Sequence, residues 1–292
     1  MDPDELLDKH RKAGKILAEI KEEVKGRVKV GVPLLDIAEF VEGEIMKRGA
    51  KPAFPCNISI NDEAAHATPK RGDERVFKEG DVVKIDIGAH IDGYIADTAF
   101  TVDLGDHPDL LEASREAVRR VVEILHAGIS TSEIGAVVEE TIRSFGFRPI
   151  VNLTGHGLAR YIQHAPPSIP NIHHQHGAKL KEWDVIAIEP FATDGAGRVS
   201  ERGNAEIYRL VDLKPVRSRH ARELLDRIKV YKTLPFAKRW IDMKRLDLAM
   251  KELERVKAVH GYPVLKDDGG GQISQFEETV IILEDGCEVI TG

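Results

Sequence analysis

Residues 82–102 read VVKIDIGAHIDGYIADTAFTV and place two aspartates, Asp86 and Asp97, within two apolar, β-branched runs. Strands usually exclude aspartate, which prefers turns and helix caps. The two runs flank the turn sequence HIDG and therefore predict a β-hairpin. A two-residue loop at 91–92 would set the aspartates directly opposite each other, whereas a loop at 92–93 would make them diagonal neighbours.

In both registers the two carboxylates share one face of the hairpin, with Cβ atoms roughly 5 to 8 Å apart, unless a β-bulge breaks the alternation. The opposite face is apolar and is predicted to be core: Val83, Ile85, Ile87, Ala96 and Phe100. Two carboxylates this close repel each other unless one is protonated or a cation lies between them. The alternative is an amphipathic hairpin whose aspartate face is solvated.

The composition of the 292-residue chain, 42% hydrophobic and 31% charged, allows a large core with a charged surface. A formal net charge of −7 argues against a general nucleic-acid binder, so no DNA partner is expected. Cys56 and Cys287 lie far apart without metal-ligand spacing and are interpreted as free buried thiols in a reducing cytosol. The charged N-terminal residues and the lack of a long apolar run predict a cytoplasmic protein without membrane contact.

Apolar residues recur with helical periodicity near 6–24, 34–47, 110–126 and 132–145, and the last helix has Thr131 or Ser132 as its expected N-cap. Short strand-like segments lie between and after these helices, and the turns that flank them are rich in Gly and Pro. This order is typical of an α+β fold with antiparallel strands and helices grouped beside them.

Residues 214–257 differ from the rest of the chain in two ways. Their apolar residues recur with helical periodicity, and they carry 14 Lys/Arg against six Asp/Glu. We interpret approximately 212–266 as an inserted helical subdomain within a single domain, 1–292. A solvated helical face is the simplest explanation of the charge. The alternative is a docking surface for ribosomal RNA.

Several histidines lie in turn-like sequence. His156 stands between two glycines in GHGL, which would let the backbone bend sharply and leave the imidazole accessible, and His164 follows eight residues later. His66 occupies an Ala-rich turn, where a structural role is the default. The HHQH run at 173–176 lies between Pro170 and a glycine without partner cysteines and is interpreted as solvated rather than as a zinc site.

Two strand-like segments carry glutamates. In WDVIAIEPFAT, Glu189 falls on the same predicted face as Trp183 and Ala187, where a carboxylate is costly unless it is protonated, paired or bound to a metal. In GQISQFEETVIIL, Glu277 and Glu278 are adjacent, so they point to opposite faces. Alternation does not say which of the two faces a site.

Taken together, Asp86, Asp97, His156, Glu189 and Glu277 resemble the five metal ligands of the methionine aminopeptidases. The segments FPCNISINDEAAHATP, KIDIGAHIDGYIADTAFT, GHGL, IEPFAT and QFEETV are similar to motifs of that family. The spacing between the two glutamates leaves room for the helical insert of the type 2 subfamily. The short N-terminal lead-in resembles the archaeal form. The resemblance implies the pita-bread fold, with the metal site in a central antiparallel sheet.

The resemblance also implies how the ligands are shared between two divalent ions. Asp86 would hold one ion bidentately, Asp97 and Glu277 would bridge both ions, and His156 and Glu189 would complete the other site. Four carboxylates and one imidazole suit Mn, Fe, Co or Zn better than a thiolate set would.

The activity implied is removal of the initiator methionine from nascent proteins and peptides whose second residue is small, through attack of a metal-activated hydroxide on the first peptide bond. Glu189 would carry a proton to the leaving amine. His164 would hydrogen-bond the scissile carbonyl or the tetrahedral intermediate, and His66 the peptide nitrogen beyond it. Phe54 and Phe191 would line the methionine pocket.

Two alternatives are open at this point. A prolidase or X-Pro aminopeptidase shares the fold and a similar ligand order, although such enzymes usually carry an additional N-terminal domain. A non-enzymatic pita-bread module that binds RNA or proteins would lose metal ligands, whereas all five positions are filled here. A monomer is expected. The segment GAGRVSERGNAEIYRL lacks the further histidine that some type 2 enzymes carry in the substrate pocket.

Overall fold

The computed structural model describes residues 3–292 and contains six α-helices and sixteen strands over that range. The helices are α1 (Pro3–Lys25), α2 (Leu34–Lys47), α3 (Pro108–Ile124), α4 (Thr131–Ser144), α5 (Arg219–Ile228) and α6 (Leu246–Arg255). The strands of the first half are β1 (Lys51–Pro52), β2 (Asn57–Ile60), β3 (Glu63–Ala65), β4 (Val82–Ile91), β5 (Tyr94–Asp103), β6 (Arg148–Pro149), β7 (Thr154–Ala159) and β8 (Ile162–Pro170). Those of the second half are β9 (Val185–Ile188), β10 (Phe191–Thr193), β11 (Val199–Leu210), β12 (Phe236–Ala237), β13 (Val259–Asp267), β14 (Ile273–Gln275), β15 (Glu278–Leu283) and β16 (Gly286–Val289).

Helix boundaries follow local sequence signals. Helix α2 spans the predicted residues 34–47 and buries its apolar stripe, and the chain then turns at Gly49 with φ +85°. The predicted N-cap of α4 is wrong. Ser130 caps this helix through a reciprocal capping box with Glu133, while Thr131 and Ser132 lie in its first turn. The signal was present in the sequence, because Glu133 stands three residues after Ser130 as the box requires.

Antiparallel pairing dominates the sheets, which confirms the α+β prediction. Strands β1, β2 and β5 gather around β4, and a second sheet has the order β16-β15-β9-β7-β8. The two sheets meet where Ala99 on β5 forms an isolated bridge with Glu277, just before β15. Helix α1 packs on β4 and β5, while α3 and α4 pack on each other. The predicted central sheet is therefore two sheets joined at one bridge.

The basic segment lies between two long paired strands. β11 pairs with β13 from Val199 opposite Asp267 to Leu210 opposite Val259. The chain between them contains α5, two 3₁₀ turns, β12 and α6, and encloses its own apolar core. All but the last residue of β13 falls inside the range 212–266, so only part of that range is helical.

Candidate metal centre

The β4–β5 hairpin brings the two aspartates onto one face. The loop is at 92–93, and both loop residues have positive φ, as the type I′ turn of a two-residue hairpin requires. Asp86 lies opposite Ala99 and Asp97 lies opposite Gly88, in a ladder without a bulge. The carboxylates are therefore diagonal neighbours, one of the two registers that the sequence allowed.

His156 lies within strand β7 and is buried, so the prediction of an accessible loop histidine is wrong. The flanking glycines serve close strand packing. A Cβ at Gly155 would lie 2.3 Å from the carbonyl oxygen of Ala187, and one at Gly157 would lie 2.3 Å from that of Pro166. His156 Nδ1 is 3.2 Å from the carbonyl oxygen of Gly157. A proton on Nδ1 would be donated there and leave Nε2 free as a ligand atom.

Glu189 directly follows β9, and its side chain is 15% exposed. Val185 and Ala187 on this strand are buried, as the alternation predicts. Trp183 is not on the same apolar face, because it occupies a turn before the strand with φ +70° and is 46% exposed. The alternation therefore starts two residues later than the sequence suggested.

Glu277 and Glu278 point to opposite faces. Glu277 is buried and faces the same cavity as the aspartates. Glu278 turns toward α1, where Lys21 Nζ lies 2.7 Å from its carboxylate. The main-chain N–H of Glu277 donates to Ala99 at 2.9 Å, which fixes this glutamate beside the hairpin.

A cavity of about 490 Å³ collects the residues singled out from the sequence. Its lining includes all nine of them: Phe54, His66, Asp86, Asp97, His156, His164, Glu189, Phe191 and Glu277. The His156 and His164 rings are 4.5 Å apart between centroids. Phe54 packs against Gly88 so closely that a Cβ there would lie 2.1 Å from the ring. Residues from five strands and four connecting segments thus form one site.

Ligand atoms of three residues converge closely. Asp97, His156 and Glu277 each offer one, and the three atoms lie within 4.8 Å of one another. His156 Nε2 is also 3.5 Å from Glu189 Oε1 and 3.9 Å from Asp97 Oδ2. Ligand atoms this close to one another could all bind the same cation.

Burial controls the electrostatics of the cluster. It raises the pKa of Asp86 to about 7. It also raises the pKa of Asp97, Glu189 and Glu277 well above the usual carboxyl range, with repulsion between the carboxylates adding to the effect. Burial and the neighbouring His164 lower the pKa of His156 to about 3, so the imidazole is neutral and has a lone pair to donate.

Three carboxylate oxygens in the cluster are buried and have no hydrogen-bond partner among residues 3–292: Asp86 Oδ1, Asp97 Oδ1 and Glu277 Oε1. Buried acceptors of this kind are costly and rare. A divalent cation would satisfy all of them and offset the repulsion. Carboxylate oxygens with one imidazole nitrogen are a suitable donor set for first-row divalent metals. The residues therefore fit a metal centre.

Comparison with known proteins identifies the family. The model of metallopeptidase family M24 matches residues 8–226. A methionine aminopeptidase of Archaeoglobus fulgidus is 54% identical over 289 residues, which cover 99% of both chains. The chain belongs to the methionine aminopeptidases of family M24. This confirms the resemblance stated from the motifs, and membership in a metallopeptidase family makes a divalent metal its cofactor.

Solved structures confirm the pita-bread fold. A methionine aminopeptidase of Thermotoga maritima superposes with a TM-score of 0.75 at 25% identity and covers 100% of this chain and 98% of its own. The prolidase of Pyrococcus furiosus gives 0.65 at 20% identity, covering 99% of this chain but only 64% of its own. The fold is thus common to both enzyme classes, whereas the high sequence identity lies with the methionine aminopeptidases.

Six further polar residues line the cavity and were not predicted: Asn57, Asn152, Thr154, Gln163, Ser168 and Tyr262. Gln275, which does not line the cavity, contacts one of its glutamates. Gln163 Nε2 lies 3.4 Å from Asp97 Oδ2, and Gln275 Nε2 lies 3.5 Å from Glu277 Oε2. Alternation could have revealed Gln275, because it stands two residues before Glu277 in the same extended segment. Gln163 carries no such signal, since its contact with β5 depends on how the two sheets join.

Other features predicted from the sequence lie outside the site. The residues at 173–176 are exposed and do not line the cavity. Both cysteines are free, but only Cys56 is fully buried, while Cys287 is half-buried. Within residues 3–292, every helix is too short or too polar to cross a membrane.

Proposed function

We propose that this protein removes the N-terminal methionine from peptides and nascent chains whose second residue is small. The supporting observation is a cluster of four buried or half-buried carboxylates and one imidazole beside Phe54 and Phe191, in a chain 54% identical to a named methionine aminopeptidase. The insert between β11 and β13 favours the type 2 subfamily.

In this proposal five residues hold two divalent ions, which are Co, Mn, Fe or Zn. The residues that would hold these ions are Asp86, Asp97, His156, Glu189 and Glu277. When bound, such ions supply Lewis acidity and lower the pKa of water toward neutrality.

The remaining chemistry belongs to the protein's own side chains. Glu189 accepts a proton from the attacking water and delivers it to the leaving amine. His164, on the rim of the cavity, donates a hydrogen bond to the scissile carbonyl. Burial lowers the pKa of His66 to about 4, so its ring is neutral and accepts from the peptide N–H beyond the cleaved bond. The thioether of methionine packs between Phe54 and Phe191.

Hydrolysis of Met-Ala-Ser before and after metal removal tests the proposal. Activity should disappear with a chelator and return with metal, and Asp97→Ala should lower kcat/KM by about 10³-fold. Asp106→Ala, a change at an exposed loop aspartate, is the matched control. Full activity of the metal-free protein or of Asp97→Ala would refute the mechanism. Preferential cleavage of Ala-Pro would assign prolidase activity, and hydrolysis of neither peptide by the metal-loaded protein would favour a binding module.

We also propose that the protein acts in the cytoplasm as a monomer and that its basic insert contacts the ribosome. The exposed residues Arg217, Arg219 and Arg222 belong to the excess of positive charge in the insert. Reversing these three charges should reduce co-sedimentation with ribosomes and leave Met-Ala-Ser hydrolysis intact. Unchanged co-sedimentation would refute the ribosome proposal. A molar mass from light scattering that is twice the monomer mass would refute the proposal of a monomer.

A further inference from the structure

A buried ion pair joins the insert to the catalytic core. The carboxylate of Glu42 on α2 pairs with the guanidinium of Arg239, and the two side chains are only 8% and 5% exposed. Glu42 also accepts hydrogen bonds from Trp240 Nε1 at 2.8 Å and from the main-chain N–H of Cys56 at 3.1 Å. Losing one partner of such a pair leaves an uncompensated buried charge, so these contacts hold α2, the insert and the segment after β1 in one arrangement.

The other side of the Arg239 guanidinium holds the same segment at a second point. Its Nη1 donates to Thr68 Oγ1 at 2.7 Å and to the carbonyl oxygen of Pro69 at 3.1 Å. Thr68 Oγ1 in turn donates to the carbonyl oxygen of Cys56 at 2.7 Å. The main-chain N–H of Cys56 is thus held by Glu42 and its carbonyl by Thr68, and Arg239 contacts both. We call Glu42, Cys56, Thr68 and Arg239 the anchor cluster.

Two cavity residues lie next to these attachment points. Phe54 stands two residues before Cys56, and His66 stands two residues before Thr68. His66 has φ +64°, a conformation that costs energy in a non-glycine residue and persists only where its surroundings hold it. Both residues therefore depend on how firmly segment 54–68 is held.

The insert also reaches the cavity directly. Pro235 lines the cavity, and the chain runs from it through β12 to Arg239. Strand β12 pairs with Ile207 on β11, which lines the same cavity. Residues 235–239 of the insert thus form part of the cavity wall and also hold segment 54–68, which forms another part of the wall.

We propose that Arg239 is a positioning residue: through the anchor cluster, the insert fixes Phe54 and His66 in the geometry that binds and orients the N-terminal peptide. This rests on the proposed peptidase function. It gives the basic insert an internal role in this chain, independent of any contact with the ribosome.

The test compares Arg239→Met and Thr68→Val with two controls. Arg222→Met makes the same chemical change on the exposed side of α5, and Thr68→Ser keeps the hydroxyl that Thr68→Val removes. Misplacing positioning groups by about 1 Å can cost about 10²-fold in rate, so kcat/KM for Met-Ala-Ser should fall about 10- to 100-fold in Arg239→Met and Thr68→Val. Thr68→Ser should recover most of the loss, and Arg222→Met should match the wild type.

Two readouts separate positioning from a general loss of structure. Calorimetric titration of the chelator-stripped variants with Mn²⁺ should give affinities within about twofold of the wild type, because no anchor residue is a proposed ligand. Amide hydrogen exchange should become faster in residues 54–68 of Arg239→Met, but not of Arg222→Met.

The proposal is overturned if kcat/KM of Arg239→Met and Thr68→Val stays within twofold of the wild type, or if segment 54–68 exchanges at the wild-type rate. It is also overturned if Mn²⁺ affinity falls in proportion to activity, since the defect would then be global. An inactive wild-type protein would instead refute the proposed function, and the exchange experiment would still decide whether Arg239 fixes the segment.

Discussion

Replacing Asp97 by Asn should remove activity and yet stabilise the metal-free protein. Asp97 shares a buried cavity with three other carboxylates, and its charge raises the pKa of Glu189 and Glu277 in addition to the effect of burial. Asparagine has nearly the same shape and can still accept the contact from Gln163. The substitution therefore removes repulsion with little change in packing.

The cost of burying a charged carboxylate in this cavity is gauged by Asp86, whose pKa burial raises from 3.8 to about 7, and burial likewise raises the pKa of Asp97. A shift of about 3 units corresponds to about 4 kcal/mol at 1.36 kcal/mol per unit. Because the pKa of Asp86 is raised in the folded state, the contribution of this carboxyl to stability is fully present below about pH 4 and is lost as the pH rises through 7. Allowing for water in the cavity, we expect Asp97→Asn to gain about 2 kcal/mol at pH 8 and much less at pH 4.

Urea unfolding in the presence of a chelator measures this gain at both pH values, with Asp106→Asn as the exposed control. In saturating Mn²⁺ the wild type should be more stable than Asp97→Asn, because the wild type gains more binding free energy than the variant. A metal-free Asp97→Asn protein that is less stable than the wild type at pH 8 would contradict the reasoning. It would mean that the Asp97 carboxylate makes favourable contacts that exceed the repulsion.

Three further predictions concern single contacts. Gly88→Ala should raise KM for Met-Ala-Ser and destabilise the protein by about 1 to 3 kcal/mol in urea unfolding, because the new Cβ would displace the ring of Phe54. His66→Ala should lower kcat without changing the shape of the pH profile between pH 5 and 9, since a pKa of about 4 keeps the ring neutral there; a lost ionisation in the profile would contradict this. Lys21→Met should cost about 2 to 4 kcal/mol because it removes the cation that pairs with Glu278, and the double change with Glu278→Gln should recover part of that loss.

Sequence patterns predicted the parts of the fold that depend on interactions between residues close together in the sequence. The bounds of α2 follow from its apolar period, and the hairpin face shared by Asp86 and Asp97 follows from strand alternation and two-residue turns. The choice between the two hairpin registers needed the structure, although Asp-Gly at 92–93 was the stronger turn signal.

Tertiary contacts decided where the predictions were wrong. The glycines around His156 led to the prediction of a flexible loop. They are instead required because atoms of neighbouring strands lie where a Cβ would be. Nothing local indicates that a carbonyl from another strand will occupy the space of a Cβ. Arg239 likewise reads as one more exposed charge of a basic helical segment, although its side chain is 5% exposed and faces Glu42 on α2. Its partner lies almost two hundred residues earlier, beyond the reach of any periodicity.

The position of the proposed metal centre explains why the cluster of carboxylates is tolerated in the fold. Asp86 and Asp97 belong to one sheet, while His156 and Glu277 belong to the other or to its edge, and the two sheets are joined beside them at the Ala99–Glu277 bridge. Each sheet alone would carry at most two buried carboxylates, which protonation could neutralise. Their junction creates the full cluster, so a cation bound there would neutralise it and would also hold the two sheets together. We therefore expect stability and activity to depend on the same bound metal.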